Sequence, residues 1–384
     1  MTGVPFADGL QATRWPRGLR PAGPAEAGFD PGRLERAFGL LEAEIAAGQL
    51  PGAVAVIARD GAVAAHRALG WAAVHPARRP MAPDTLFDLA SLTKVMATLP
   101  AVLLLIDRGE IRLDDPLHLF FPEYRGEGRE EIRIRHLLTH TAGFPPGSPV
   151  LREPAGSRAE RIARLASVPL QAPPGSRIIY SDLGFILLGE LVAKVSGQPL
   201  DRFVREQVHR PLGLVHAGYL PSGDRARSAA ATEYRERLGR HQCGEVHDEN
   251  ATALGGVAGH AGLFATAPEV AAYGQMWLEG GAGVLSPAAV AAATRDQTPH
   301  LPGQEHRGLG WIVAREDSAG LSCGDLFSPG SFGHTGFTGT SLWIDPHRRL
   351  VVALLTNRVH FGRTDHILRL RPRFHNAVAA AVIR

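Results

Sequence analysis

Strand-forming runs stand at the two ends of this chain and helical spacings fill the stretch between, so its sheet has to be assembled from both termini. Near the start, Ala53–Arg59 and Ala62–Ala68 are apolar runs hinged at Asp60-Gly61, a dipeptide suited to the positive φ angles of a tight hairpin turn. Near the end, Gly308–Ala314, Ser331–Phe337, Thr340–Ile344 and Leu350–Asn357 read as consecutive antiparallel strands. The stretch between carries short helices separated by Pro/Gly loops: Ile134–Thr139, Ser157–Ala166, Asp182–Ser196, Leu200–Val208, Pro268–Leu278 and Ser286–Thr294. Asp30-Pro31 supplies an N-cap and a Pro at the first helical position, ahead of Leu34, Phe38, Leu41 and Ile45 at helical spacing. Phe374–Ile383 closes the chain as a helix. The pattern predicts an α/β protein of the α+β type, an antiparallel sheet flanked by N- and C-terminal helices. Residues 30–90 and 296–384 form that domain, a large mainly helical insertion covers 91–295, and 1–29 is an irregular arm.

Composition excludes several classes. Apolar residues make up 45% and charged residues 21% of the 384, the proportions of an ordinary globular chain. The formal charge of +3 comes from basic residues scattered along the sequence rather than from a stripe, so no nucleic-acid partner is expected. The longest apolar run, Val95–Ile106, contains Pro100, ends at Asp107 and falls well short of the roughly 20 residues that span a bilayer. Met1–Gly23 lacks the apolar core of a secretory signal, which makes a cytoplasmic location the expectation. Cys243 and Cys323 leave one disulfide or two free thiols open. No sequence feature bears on oligomeric state.

Of the 41 basic residues only two, Lys94 and Lys194, are lysines. Lysine shifts its pKa for acid–base work and arginine does not, so a lysine three residues after a serine carries information in such a chain. In Ser91-Leu92-Thr93-Lys94, a helix starting at Ser91 sets the two side chains on one face. The amine can then take the proton that makes the hydroxyl a poor nucleophile. The same pattern also fits a plain helix start with a solvated lysine. Tyr180-Ser181-Asp182 precedes an apolar helix: the phenol is a candidate second acid/base group and Asp182 a candidate partner for the ammonium, or the two are a loop tyrosine and an N-cap. His334-Thr335-Gly336 lies in an expected strand. Its glycine would let substrate backbone approach, and the N–H of Phe337 with that of Ser91 would form an oxyanion hole; a glycine-rich bend is the plainer alternative.

Taken in order, S-x-x-K, Y-x-D about ninety residues on, and H-T-G near the C-terminus resemble the serine β-lactamase and penicillin-binding protein superfamily, whose pattern is S-x-x-K, Y-x-N and K-T-G. Asp114-Asp115-Pro116 and Leu137–Gly143 (LLTHTAG) are similar to its class C β-lactamase and esterase branch. Glu245–Asn250 (EVHDEN) with Gly255–Phe264 (GGVAGHAGLF) is similar to a narrower group of low-molecular-mass penicillin-binding proteins and an exo-acting muramoyl-alanine amidase. The resemblance implies a β-lactamase/transpeptidase-like fold and a serine hydrolase, with Ser91, Lys94 and Tyr180 catalytic and Asp182, His334, Thr335 and Gly336 supporting substrate. It implies no cofactor, and a small ester or amide or a peptidoglycan fragment as substrate. Two departures bear on that substrate. Asp182 stands for the family's Asn and favours a charged Lys94. His334 stands for the Lys that helps hold the substrate carboxylate, and a histidine is only partly charged near neutral pH. Esterase, D-amino-acid amidase or peptidase and muropeptide amidase activities therefore fit better than efficient penicillin turnover.

Two rival readings remain at this level. His241, Cys243, Glu245 and His247 would share one face of a strand, and His136 and His140 one side of a helix, as metal ligands do. The first set lacks a second pair at zinc spacing and the second falls inside LLTHTAG, so no metal is expected. The other rival is a binding or scaffold protein that keeps the fold without the chemistry; such proteins lose Ser, Lys or Tyr, and here all three stand in place.

Overall fold

The computed structural model describes residues 4–153, 156–301, 303 and 305–383. Its main sheet contains β1 (Phe6–Asp8), β2 (Gly52–Arg59), β3 (Ala62–Ala73), β4 (His306–Arg307), β5 (Ile312–Val313), β6 (Phe332–Thr335), β7 (Ser341–Asp345) and β8 (Leu350–Thr356). They lie in the order β1-β3-β2-β8-β7-β6-β5-β4, every neighbour antiparallel. The two ends of the chain meet at β2–β8, from Ala53 opposite Thr356 to Arg59 opposite Leu350. The expected α/β class with a sheet built from both termini is what forms.

Period-two alternation sends the sheet's apolar residues into two layers. Ala53, Ala55 and Ile57 of β2 and Leu350, Val352 and Leu354 of β8 face one core, shared with α1 (Pro31–Ala46) and the C-terminal helix His366–Ala381. Val54, Val56 and Ala58 with Val351, Ala353 and Leu355 face the other, which is continuous with the helical region. Both faces are covered, which is why these strands read as unbroken apolar runs. At about 1.5–3 kcal/mol for each fully buried Val, Leu or Ile, this two-sided burial is the main force holding the termini together.

Four segments differ from the sequence reading. The arm is not wholly irregular: β1 and Arg20–Pro21 both pair with β3 and cover its backbone groups. The last helix begins at His366, two turns early, because Ile367, Leu370, Phe374 and Val378 are buried at helical spacing among polar neighbours that obscure it. Ala267–Leu278, expected within the insertion, lies against the sheet, where Gly274 leaves no room for a Cβ beside Val351. The helix after Ser91 opens with a π turn, Lys94–Thr98, before α2 (Leu99–Asp107). Pro100 explains it: without an N–H it leaves carbonyls of the preceding turn unclaimed. The Tyr273 hydroxyl donates to the Val95 carbonyl and His209 Nε2 to that of Met96 at 3.1 Å. No single helix among the described residues is long and apolar enough to cross a membrane.

Candidate active site

Ser91 sits where a strained turn meets that helix. Ala90, just before it, has φ +47°, a left-handed conformation that costs a non-glycine residue energy and has to be held by its surroundings. Asp88 holds it. One carboxylate oxygen accepts from the Ala90 N–H at 2.8 Å and the other from the His247 N–H at 2.7 Å, while its backbone carbonyl accepts from Thr338 Oγ1 at 2.7 Å. A single buried residue thus ties the serine turn to the 245–250 loop and to the loop after β6.

Lys94 lies behind Ser91 with no exposed surface. Its Nζ donates to Ser91 Oγ at 3.0 Å, to Asp182 Oδ1 at 2.7 Å and to the His260 carbonyl at 3.3 Å. Three acceptors match the three protons of an ammonium. Burial pushes the amine's pKa down, but the charge of Asp182 and then the influence of Tyr180 outweigh it and hold the pKa above its ordinary value. Lys94 is therefore a cation at rest.

Asp182 is free for this role because Ser181, not Asp182, is the N-cap of α3 (Asp182–Ser196): its Oγ accepts from the Leu183 N–H at 3.2 Å. The Tyr180 ring centre lies 4.9 Å from Lys94 Nζ and 4.5 Å from the ring of His140. His140, with φ +58°, accepts from the Ser181 N–H on Nδ1 at 3.1 Å, and its carbonyl accepts from the Ile179 N–H at 2.8 Å. The LLTHTAG segment thus carries the Tyr180 loop, and His136 does not join His140, because that helix ends at Leu138.

A pair that sequence reading did not single out backs the lysine. His260 Nε2 lies 2.8 Å from Asp248 Oδ1. Burial pushes the Asp248 carboxyl upward, but the His260 and Lys94 charges prevail and hold it below the usual range. Asp182, Asp248 and His260 place ligand-type atoms within 4.8 Å of one another, and the cation beside them is the ammonium of Lys94. The glycines of GGVAGHAGLF bring this loop close: a Cβ on Gly259 would overlap the Phe185 carbonyl of α3. The other metal candidates disperse. Cys243 Sγ turns to backbone carbonyls, among them that of Ala229, Glu245 pairs with Arg240, and His247 Nε2 meets Glu233 at 3.0 Å. Both cysteines are free thiols.

His334, Thr335, Gly336 and Phe337 line the same cleft as Ser91 and Tyr180, a cavity of about 580 Å³. A larger cavity of about 640 Å³ beside Trp15 and Pro83 contains none of these groups. His334 is buried, and its Nδ1 donates to the Thr335 carbonyl at 2.7 Å. Burial first, then the charges of Arg307 and Lys94, hold its pKa well below the ordinary value, so the imidazole is neutral rather than partly charged. Gly336 also has a packing reason of its own: a Cβ there would overlap the Leu89 carbonyl and Thr340 Oγ1, prising β6 off the serine turn. Among the described residues, the backbone N–H groups of Ser91 and Phe337 have no acceptor.

Asp88 yields a stability prediction. Burial raises its carboxyl pKa to about 6 against the two N–H bonds that lower it. Between an unfolded value near 4 and about 6 the folded chain binds the extra proton, so stability falls as pH rises across that window, by about 3 kcal/mol for a shift of about two units. Thermal unfolding of wild type and Asp88→Asn across this range should differ in slope, the variant lacking this term. Parallel curves would show that Asp88 does not titrate there.

Comparison with known proteins agrees with this architecture. The family model described as Beta-lactamase matches residues 38–374. A chain from Escherichia coli O157:H7 described as "Putative D-alanyl-D-alanine carboxypeptidase" is 34% identical over 392 residues, 93% of this chain and 89% of that one. Its counterpart from Salmonella enteritidis PT4 is 34% identical over 88% of this chain and 86% of its own. Among solved structures, EstCE1, described as a hydrolase with promiscuous acyltransferase activity, superposes with a TM-score of 0.72 at 26% identity over 92% of this chain and 99% of its own. An unliganded simvastatin synthase from Aspergillus terreus, at 21% identity and a TM-score of 0.73 over 91% and 98%, shares the fold. On the extent of these matches, the chain belongs to the Beta-lactamase family and is a serine hydrolase.

Proposed function

We propose that Ser91 is the nucleophile of an acyl-transfer site that cleaves an ester or amide through an acyl-enzyme. The observation that carries this reading is Lys94 Nζ, wholly buried and 3.0 Å from Ser91 Oγ at the floor of an open cleft. Substrate enters with its carbonyl oxygen toward the N–H groups of Ser91 and Phe337, which hold the negative charge that develops on attack. Because Lys94 rests as an ammonium with all three protons engaged, it orients Ser91 and supplies positive charge, and Tyr180, acting as base in its phenolate form, takes the serine proton. Tyr180 then returns that proton to the leaving group, and water releases the acyl group by the reverse path. His260 and Asp248 fix the lysine from behind.

The carboxypeptidase name of the curated relatives supports a peptide or muropeptide amide as substrate, and the hydrolase and acyltransferase description of EstCE1 supports an ester. A neutral His334 offers no cation to a β-lactam carboxylate, which weighs against efficient β-lactam turnover. The test is intact-mass spectrometry of the wild type after brief exposure to p-nitrophenyl esters, D-alanine amides, muramoyl-L-alanine and nitrocefin. An acyl adduct mapping to the peptide that contains Ser91 is expected with at least one of them. Turnover with the adduct on another residue would overturn the assignment.

A further inference from the structure

Two arginines grip the loop after β6 by its carbonyl groups. Arg371, on the C-terminal helix, donates from Nη2 to the carbonyls of Gly336 and Thr340, each at 2.8 Å. Arg358 Nε donates to the Phe337 carbonyl, also at 2.8 Å. Arg371 is 4% exposed and makes no ion pair among the described residues. Burial first, then the like charge of Arg358, pulls its pKa down to about 9, so it is still a cation at neutral pH. Enclosing a guanidinium without a carboxylate is costly, and here the compensating acceptors are two carbonyls of one loop. Which carbonyls they are decides what the charge can do. The Gly336 carbonyl and the Phe337 N–H belong to one peptide unit, and that N–H is half of the oxyanion hole. A cation bonded to a peptide oxygen draws electron density from the nitrogen across the partial double bond, which strengthens the N–H as a donor. Arg358 acts one link further on, at the peptide whose N–H is that of Thr338. The loop has other anchors: Thr338 Oγ1 donates to the Asp88 carbonyl at 2.7 Å, Thr340 Oγ1 to that of Leu89 at 3.0 Å, and Thr356 Oγ1 to that of Gly339 at 3.0 Å. Its place against the serine turn therefore does not depend on Arg371 alone.

We propose that Arg371 is a positioning residue for acyl transfer, whose buried charge polarises the Gly336–Phe337 peptide so that the Phe337 N–H binds the oxyanion more strongly. This rests on the reading of Ser91 as the nucleophile and of its N–H with that of Phe337 as the oxyanion hole. Arg371 acts through the backbone and not on the substrate. Its influence grows as negative charge develops on the carbonyl oxygen, so it favours the transition state over the bound substrate.

The experiment uses a neutral p-nitrophenyl ester labelled with carbon-13 at its carbonyl, so that binding of a charged substrate plays no part. Infrared difference spectra of the acyl-enzyme give the stretching frequency of that carbonyl, which falls as the hydrogen bonds to its oxygen strengthen. Only molecules that have acylated contribute, so the reading is independent of how much of a preparation is folded. Arg371→Gln should raise the frequency above that of the wild type. It should also lower kcat by about tenfold with KM little changed, short of the roughly 10²–10³ that outright loss of an oxyanion donor costs. Arg371→Met, which fills the space without charge or donor, should shift the frequency the same way and serves where the glutamine variant does not fold. Arg371→Lys, keeping a cation, should restore part of the shift. Arg358→Gln removes a cation from the next peptide and should leave the frequency where it is. A wild-type frequency in both Arg371→Gln and Arg371→Met would overturn the proposal, whatever the change in rate. An equal shift in Arg358→Gln would overturn it too, since the loop would then be moving rather than losing polarisation. A wild type that forms no adduct on Ser91, or whose acyl carbonyl absorbs as high as an ester in an apolar solvent, would instead overturn the reading of the nucleophile or of the hole. The two kinds of failure are distinguishable.

Discussion

Ser91→Ala should eliminate the acyl-enzyme and lower kcat by about 10⁴- to 10⁶-fold, the range found when a serine hydrolase loses its nucleophile. The size of the effect follows from what stays behind. Without the hydroxyl, Lys94 keeps Asp182 and the His260 carbonyl, and the Ser91 and Phe337 N–H groups keep their places, so the remaining site polarises a carbonyl but bonds nothing to it. Because Ser91 Oγ accepts from Lys94 and only its backbone carbonyl joins the helix, through the Lys94 N–H at 3.0 Å, the substitution should leave folding intact. Thermal unfolding within a few degrees of the wild type, together with loss of the mass adduct, is the expected result. A variant that still turned over an ester at a tenth of the wild-type rate would move the chemistry off this serine.

How much of this site was legible in the sequence depended on whether a residue acts through its neighbours in the chain or through the fold. Ser91 and Lys94 are three apart on one helix, so their meeting is a local property, and the scarcity of lysine drew attention to the pair. The two-ended sheet was legible because its strands are buried on both faces and read as unbroken apolar runs. Asp248 and His260 stand in segments that carry a family resemblance and no sign of a contact between them. Nothing in a spacing of twelve says that a loop folds back to set them behind a lysine more than 150 residues earlier; the glycines around His260 hinted at close packing without naming its partner. Asp88 was hidden for a similar reason, since its two N–H donors come from residues 2 and 159 positions away. Arg371 was one arginine among many. The packing reason for Gly336 was hidden as well, since the Leu89 carbonyl that approaches it belongs to a residue far away in the chain.

Asp182 is where this site departs from a neutral-lysine mechanism, and Asp182→Asn should reverse the pH dependence that Lys94 contributes to stability. In the wild type the lysine's folded pKa lies above its unfolded value, because Asp182 and Tyr180 outweigh burial. Its stabilising contribution is therefore fully present below the unfolded pKa and is lost only as pH rises through the higher folded one. An asparagine keeps an oxygen for Nζ but removes the charge, leaving burial of a wholly enclosed amine as the dominant influence. The folded pKa then drops below the unfolded value near 10.4, the unfolded chain binds the extra proton between the two, and stability rises with pH across that interval. At neutral pH the variant should be less stable by about 2–4 kcal/mol, somewhat under the full cost of breaking a buried pair because Asp182 is about a quarter exposed. Melting temperatures from about pH 7 to 10 should then climb in Asp182→Asn relative to the wild type. The rate profile should change with them: a lysine that is neutral for part of the time can take the Ser91 proton itself, so kcat/KM should acquire an acidic limb at the lowered lysine pKa. Equal pH slopes in wild type and Asp182→Asn would show that Asp182 does not hold the charge on Lys94, and the division of labour between the lysine and Tyr180 would have to be drawn the other way.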